Sequence, residues 1–208
     1  MRSKVGILCM LIGTALVLGS LSLFLRNEKE SDDAQVFAEK VMPVIQDEII
    51  HSLQTVPTQP NGSENTPVEL LRPEDLIMTE KMINGYPYIG YLTVPELNLE
   101  LPVMSNWNSQ RLTISPCRFT GTVKGKDLVI MAHNYKSHFG KLSTLSEGSE
   151  VRFVDMDGVV WNYEVVALDV LAAEAVEEMT AGEYDLTLFT CTTNRTHRVT
   201  VRCNQVKE

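Results

Sequence analysis

The chain has 208 residues, of which 27 are acidic and 18 basic, giving a formal net charge of −9. This length suits one domain of ordinary size with a short extension, and it is sufficient to bury a core without disulfide bonds. An acidic chain without clustered lysine and arginine is a poor partner for nucleic acid, so nucleic-acid binding is excluded as its main function.

The first segment, residues 5–25, carries no charged side chain. As a helix, such a run spans roughly the 30 Å hydrocarbon core of a bilayer. Arg2 and Lys4 precede it, which predicts a cytoplasmic stub (residues 1–4), one transmembrane signal anchor, and the rest of the chain outside the cell. The alternative is a cleavable signal peptide, but the run is long for one and no small-x-small site follows before Arg26. We therefore expect an uncleaved anchor in the cell membrane.

Residues 26–79 are predicted to form a helical extension followed by a linker. Ser31, Asp32 and Asp33 are typical of a helix N-terminus, and apolar residues follow them at near-helical spacing. Pro43 should kink or divide this helix. Three prolines and an Asn-Gly pair within residues 55–67 favour a flexible connection.

Residues 80–208 are predicted to form a single, mainly β domain. Short apolar runs bounded by Gly, Pro, Asn or Asp predict strands, whereas only two short segments, 141–146 and 173–180, have helical character. Many short strands with few helices favour a β-barrel or a β-sandwich. The predicted strands are residues 88–94, 97–104, 127–132, 151–155, 159–170, 186–191 and 198–203.

The last two predicted strands bring a cysteine and an arginine together. Cys191 ends the first and Arg198 opens the second, with a short polar link between them. A hairpin-like pair would place both side chains at one end of the sheet. A thiolate can attack a carbonyl, and a guanidinium can stabilise the oxyanion that develops. With a histidine to move protons, this set is suited to acyl transfer.

Four histidines are available to complete the set. His51 lies in the N-terminal helix, away from the sheet. His133 directly follows a buried strand, and a strand end is a rigid position from which to orient an imidazole. His138, at the entry to a short helix, and His197, beside Arg198, remain open alternatives.

The chain has four cysteines, and Cys9 lies in the anchor. The three that remain cannot all pair among themselves, so at least one thiol should be free. A disulfide between Cys117 and Cys203 is conceivable in an exported protein, although Cys203 falls in an apolar alternation typical of a buried free thiol. The cysteine spacing does not match a zinc site, and we expect no metal or other cofactor.

Several short segments match the motifs of a known family. They are residues 89–95 (IGYLTVP), 101–103 (LPV), 129–134 (VIMAHN), 139–142 (FGKL) and 187–191 (TLFTC), together with Arg198. With these motifs the chain resembles the sortases, the membrane-tethered cysteine transpeptidases of Gram-positive cell surfaces. The resemblance covers about residues 86–204.

The resemblance implies a closed eight-stranded β-barrel with Cys191 as nucleophile, His133 as general acid and base, and Arg198 as the oxyanion-stabilising group. It also implies cleavage after threonine in a Leu-Pro-x-Thr-Gly-like sorting signal through a thioester acyl-enzyme. The implied partners are surface proteins with C-terminal sorting signals and an amine acceptor, such as a lipid-linked wall precursor or a pilin lysine. Two departures stand out: Ala132 replaces a common glycine, and the Cys191-to-Arg198 link is short, which should reshape the substrate groove.

Two other classes of function are compatible with single features of the chain. A papain-like cysteine hydrolase would also use a cysteine and a histidine, but there the cysteine commonly comes first and lies on a helix. A non-catalytic, membrane-anchored β-domain that binds a surface protein would leave Cys191 as an inert thiol. The reactivity of Cys191 separates this second class from an enzyme.

Overall fold

The structure is a computed structural model that describes residues 2–55 and 77–206. One long helix, α1 (Arg2–Thr55), precedes the mainly β part of the chain. The connection predicted between residues 55 and 67 falls almost wholly outside the described residues. The described elements that follow α1 are β1 (Lys81–Ile83), β2 (Tyr86–Val94), β3 (Leu99–Met104), α2 (Ser109–Leu112), β4 (Cys117–Thr120), β5 (Leu128–Met131), β6 (Glu150–Asp155), β7 (Val160–Ala172), α3 (Val176–Met179), β8 (Leu186–Cys191) and β9 (His197–Gln205).

Eight of these strands close into a barrel in the order β2-β3-β4-β5-β8-β9-β7-β6. Antiparallel pairing between β2 and β6 completes the circle, while β1 forms an additional hairpin with β2 outside it. Two neighbouring pairs are parallel: β5 with β8 over four residue pairs, and β3 with β4 through the single pair Met104 and Cys117. The predicted closed eight-stranded barrel is confirmed.

The seven predicted strands are all present, with ends shifted by one or two residues. The helical segment predicted at 173–180 contains α3, and that at 141–146 contains a single 3₁₀ turn, Leu142–Thr144. A second 3₁₀ turn, Pro95–Leu97, occupies the start of the strand predicted at 97–104. Strands β1 and β4 and helix α2 were not predicted.

Side chains of β8 and β9 alternate between the inside and the outside of the barrel. Leu186, Leu188, Val201 and Cys203 are fully buried members of the central hydrophobic core. The residues that alternate with them along each strand therefore lie on the outer face; these include Phe189 and Cys191 on β8 and Arg198 and Arg202 on β9. A cysteine and an arginine that alternate with core residues are thus held by a rigid part of the sheet.

Helix α1 differs from the prediction because it is continuous from Arg2 to Thr55. It neither begins at Ser31 nor is divided at Pro43. Residues 26–30 contain charged and polar helix formers without Gly or Pro, so nothing ends the helix after the apolar run. Ser31 lies in mid-helix, where its side chain is buried against the barrel.

One face of α1 packs along the outside of the barrel. Its buried apolar residues recur with the helical period and form one stripe; they are Ala34, Ala38, Val41, Met42, Ile45 and Ile49. The last turns contact Tyr88, Met104 and Cys117. Other apolar residues of the same helix, Val36, Val44, Ile50 and Leu53, are exposed.

A buried arginine on β9 joins α3 to the neighbouring strands β7 and β8. Arg202 donates to the carbonyl oxygens of Met179 (Nη1–O 2.8 Å) and Glu178 (Nη2–O 2.7 Å). It also donates to the hydroxyl of Thr187 (3.1 Å) and to the carboxylate of Asp169 (3.3 Å). Because its side chain is only 3% exposed, Arg202 is a structural residue of the outer face.

Candidate functional site

Cys191 and Arg198 lie directly opposite each other at the ends of β8 and β9. In an antiparallel pair, opposed residues have Cβ atoms about 4.5–5.5 Å apart and share one face of the sheet. Both residues are partly buried. The prediction that two strands bring the thiol and the guanidinium together is confirmed.

The short link between the two strands is an ordered turn. The amide of Thr192 donates to the carbonyl of His197 (3.0 Å), and the amide of Arg195 donates to the carbonyl of Thr192 (2.8 Å). The side-chain oxygen of Asn194 accepts from the hydroxyls of Thr192 (2.7 Å) and Thr196 (2.9 Å). Arg195, at the tip, has a left-handed backbone conformation with φ of 60°. This network fixes the spacing of Cys191 and Arg198.

His133 reaches the same end of the barrel from the neighbouring parallel strand. Met131 of β5 pairs with Phe189 of β8. One residue further, the amide of Ala132 donates to the carbonyl of Phe189 (3.2 Å), and the hydroxyl of Thr190 donates to the carbonyl of Ala132 (2.8 Å). The register therefore places His133 level with Cys191, so the three predicted site residues lie at the same end of the barrel.

The imidazole of His133 is partly buried and stacks on the ring of Tyr135, with centroids 4.8 Å apart. Burial lowers its pKa, and the positive charge of Arg195 lowers it further, whereas the carboxylate of Glu30 opposes the change. Because an ordinary histidine has a pKa near 6.5, His133 is mainly neutral at neutral pH. A neutral imidazole is able to accept a proton from a neighbouring thiol.

The guanidinium of Arg198 keeps most of its donors free for a ligand. Its Nη1 donates to the carbonyl oxygen of His197 at 3.3 Å. Among the described residues it forms no ion pair with a carboxylate. Such a group is suited to bind an oxyanion next to Cys191.

The other histidines are less suited to act on Cys191. His138 is fully buried, and burial lowers its pKa to about 4, so it is a neutral core side chain at neutral pH. His197 is exposed, its Nδ1 contacts the hydroxyl of Thr196 (2.8 Å), and strand alternation directs it away from the face of Arg198. His51 is exposed on α1. Of the four histidines, His133 is the one that the strand register brings level with Cys191.

A largely buried apolar cluster lies beside Cys191 on the outer face of the sheet. Phe189, two residues earlier in β8, packs edge-on against Phe119 (centroids 5.4 Å apart) in a cluster with Val129 and Met179. Phe119 also stacks with Trp107 (5.9 Å), which is 46% exposed. Sequence reasoning missed Trp107 and Phe119; an exposed tryptophan outside the predicted strands was the available signal.

All four cysteines are unpaired, so Cys117 and Cys203 do not form a disulfide. Both are fully buried, and burial raises the pKa of each thiol to about 12. At neutral pH only on the order of 10⁻⁵ of either thiol is therefore ionised. Thiolate chemistry outside α1 is left to Cys191.

This difference predicts selective labelling. In a Cys9→Ala background at neutral pH, iodoacetamide should modify Cys191 in the folded chain and leave Cys117 and Cys203 unmodified, because alkylation requires an accessible thiolate. Peptide mass spectrometry measures the labelled fraction at each position. The same labelling in denaturant is the control and should reach all three thiols. A Cys191 no more reactive than Cys203 in the folded chain would contradict an enzymatic role.

The family follows from a comparison with known protein families. A family model described as a sortase domain matches residues 92–206. The chain belongs to the sortase family. Sortases are cysteine transpeptidases, so the chain is assigned to that general class of enzyme. No curated protein matches the chain significantly.

Solved sortase structures share the fold. Sortase C1 from Streptococcus agalactiae is 22% identical with a TM-score of 0.54, over 61% of this chain and 71% of that one. Sortase C from Clostridium perfringens SM101 is 19% identical with a TM-score of 0.54, over 92% and 99%. A lid mutant of sortase A from Corynebacterium diphtheriae is 20% identical with a TM-score of 0.51, over 82% and 96%. Similarity at these identities supports the sortase barrel and leaves the sortase class unassigned.

Proposed function

We propose that this sortase cleaves a Leu-Pro-x-Thr-Gly-like sorting signal after threonine and transfers the protein to an amine acceptor through a thioester on Cys191. The acceptor is a primary amine, such as that of a lipid-linked wall precursor or a pilin lysine. The proposal is supported above all by the strand register, which opposes Cys191 to Arg198 and brings His133 level with both.

In the proposed reaction, neutral His133 takes the proton of the Cys191 thiol, and the thiolate attacks the threonine carbonyl. Arg198 stabilises the oxyanion of the tetrahedral intermediate. When that intermediate collapses, His133 protonates the departing amine and the thioester remains on Cys191. The acceptor amine then attacks the thioester, His133 removes the proton of that amine, and the C–S bond breaks as His133 passes the proton to the departing Cys191 thiolate.

The accessible rings of Trp107 and Phe119, at the edge of the Phe189 cluster, support a substrate with an apolar residue upstream of the scissile bond. Phe189 and Cys191 lie on the same face two residues apart, so an extended peptide acylated at Cys191 would run beside the cluster with Phe119. The leucine of a sorting signal would pack against the exposed Trp107 and the partly buried Phe119. Trp107 borders a neighbouring surface groove of about 520 Å³.

We further propose that residues 5–25 cross the cell membrane once, with residues 1–4 in the cytoplasm and the catalytic domain, residues 80–208, outside. Helix α1 contains a window with a mean hydropathy of 2.3 that is wholly exposed, which fits a bilayer-spanning segment. Residues 26–79 would connect this anchor to the barrel. Sorting-signal proteins and amine acceptors at the outer face would then be the partners.

A ligation assay with the full chain in lipid nanodiscs tests the proposed function. The chain is incubated with a Leu-Pro-x-Thr-Gly peptide and with acceptors that present an N-terminal glycine or a lysine side chain. We expect mass spectrometry to find a ligated product containing the peptide up to threonine, and an acyl adduct on the tryptic peptide that carries Cys191.

A peptide with the threonine and leucine exchanged is the matched control, and it should give neither product nor adduct. Hydrolysis alone across all acceptors would contradict transfer. An adduct on another cysteine would contradict the assignment of the nucleophile.

A further inference from the structure

Helix α1 is bonded to the loop that begins with His133. The hydroxyl of Ser137 donates to the carbonyl of Ser31 (2.7 Å), and the amide of Ser137 donates to the hydroxyl of Ser31 (3.3 Å). Beside this contact, the amine of Lys136 lies 3.9 Å from the carboxylate of Glu28. The loop is therefore docked on the helix that emerges from the apolar segment.

Within this contact, Glu30 of α1 is connected to His133 through one side chain. The hydroxyl of Tyr135 donates to Oε2 of Glu30 at 3.0 Å, while the other oxygen accepts from Nε of Arg26 at 2.9 Å. Tyr135 is 5% exposed, and its ring stacks on His133 with an interplanar angle of 30°. The connection thus runs from the helix carboxylate through a buried phenol to the imidazole.

The protonation states suit this connection. Hydrogen bonds from Arg26 and Tyr135 lower the pKa of Glu30, so its carboxylate is ionised at neutral pH. Burial and the bond to Glu30 raise the pKa of Tyr135 to about 12, so its hydroxyl remains a donor. A charged acceptor makes this hydrogen bond stronger than a neutral one.

We propose that Glu30 is a positioning residue for His133, acting through Tyr135. The inference rests on the proposed function, because it assigns His133 the proton transfers. Through the hydrogen bond, Glu30 fixes the plane of the Tyr135 ring, and the stacked ring fixes the orientation of the imidazole.

Glu30 has a second effect, through its charge. Its carboxylate raises the pKa of His133 against burial and against Arg195. The other groups around this pair are Arg26, which partly neutralises Glu30, and the neutral His138, whose ring lies 5.5 Å from that of Tyr135. Removing the carboxylate therefore lowers the pKa of His133 further.

Two variants separate the two effects in the full chain in nanodiscs. Glu30→Gln keeps an oxygen that accepts from Tyr135 but removes the charge. Tyr135→Phe keeps the stacked ring and the charge but removes the hydrogen bond. Glu28→Gln is the matched control, because it removes a carboxylate from the same helix and the same loop contact without touching Tyr135.

For Glu30→Gln we expect a lower His133 pKa, measured by NMR titration of side-chain ¹⁵N-labelled histidine assigned with His133→Gln. For Tyr135→Phe we expect kcat to fall about fivefold, the factor expected from the loss of one hydrogen bond, with KM for the peptide unchanged. Glu28→Gln should leave both quantities as in the unmodified chain. If the contact were merely structural, the variants would have a lower melting temperature, but the His133 pKa of the folded chain would not change.

An unchanged His133 pKa in Glu30→Gln, together with a kcat for Tyr135→Phe equal to that of Glu28→Gln, would overturn the inference. Failure of the proposed function can be distinguished from failure of the inference about Glu30. If the unmodified chain forms no thioester, the proposed function fails, while the NMR titration still decides whether Glu30 acts on His133.

Discussion

Cys191→Ala is expected to abolish both the acyl adduct and the ligated product, with a loss of activity of at least about 10⁴-fold, because no other group in the site can form the thioester. His133→Ala should lower kcat by about 10²–10⁴-fold, the range typical of losing a general acid and base. The ligation assay measures both, and circular dichroism reports whether the barrel is intact.

Matched replacements give this prediction its controls. Cys203→Ala removes a thiol from the paired strand, but that thiol lies inside the barrel and is fully buried. His197→Ala removes an exposed imidazole next to Arg198. Both should retain activity within a few-fold per folded molecule. An active His133→Ala beside an inactive His197→Ala would show that the acid and base has been assigned to the wrong histidine.

Arg198 and Arg202 lie four residues apart on the same face of β9, and their replacement is expected to affect different properties. Arg202→Met should lower the free energy of unfolding by about 3–5 kcal/mol, because it leaves buried groups on α3 and β8 without their donor. Arg198→Ala should lower kcat by about 10²–10³-fold, as expected for one oxyanion donor, with little change in stability.

Chemical denaturation of the full chain in detergent measures the first effect, and the ligation assay measures the second. Arg202→Lys is the control for shape, because an ammonium keeps the charge but does not reproduce a planar group with bonds in several directions. It should fall between the unmodified chain and Arg202→Met. An Arg202→Met chain as stable as the unmodified chain would contradict the structural role of Arg202. An Arg198→Ala chain that is less stable but keeps its activity per folded molecule would contradict the catalytic role of Arg198.

The meeting of Cys191 with Arg198 was predictable because it depends on local patterns, whereas the closed barrel was implied by the family resemblance, since the strand pattern alone left a barrel and a sandwich open. Alternation in β8 and β9 sets which residues face the core, and the polar link between them sets the hairpin. The level of His133 relative to Cys191 was not predictable from the strands themselves, because it depends on the parallel pairing of β5 with β8, which are distant in the sequence.

The strand β4 could not be predicted in this way. It has only four residues, two of them Arg118 and Thr120, and it is a strand because β5 pairs with it. Such pairing is non-local and leaves little signal in the segment itself. Arg202 was missed for a similar reason: alternation places it on the outer face, and only α3, which is distant in the sequence, covers it.

The start of the extension helix was wrongly predicted for a different reason. Ser31 and the two following aspartates are a start signal only where the preceding chain is not helical. Here the preceding residues continue the helix, and the serine hydroxyl bonds to Ser137 instead of capping α1. A capping residue is thus used as a docking contact.

The continuity of α1 limits the distance between the catalytic residues and the membrane surface. Glu30, which contacts the His133 loop, follows Leu25 by about 8 Å along the helix axis. With residues 5–25 in the bilayer, as proposed, this distance is comparable to the thickness of the headgroup layer, which is about 6 Å per leaflet. The hydrogen bonds of Glu30 and Ser31 with the loop after His133 hold the barrel against this part of the helix. Donor and acceptor groups would then have to reach Cys191 close to the headgroup layer, which favours substrates that diffuse in the plane of the membrane over soluble ones.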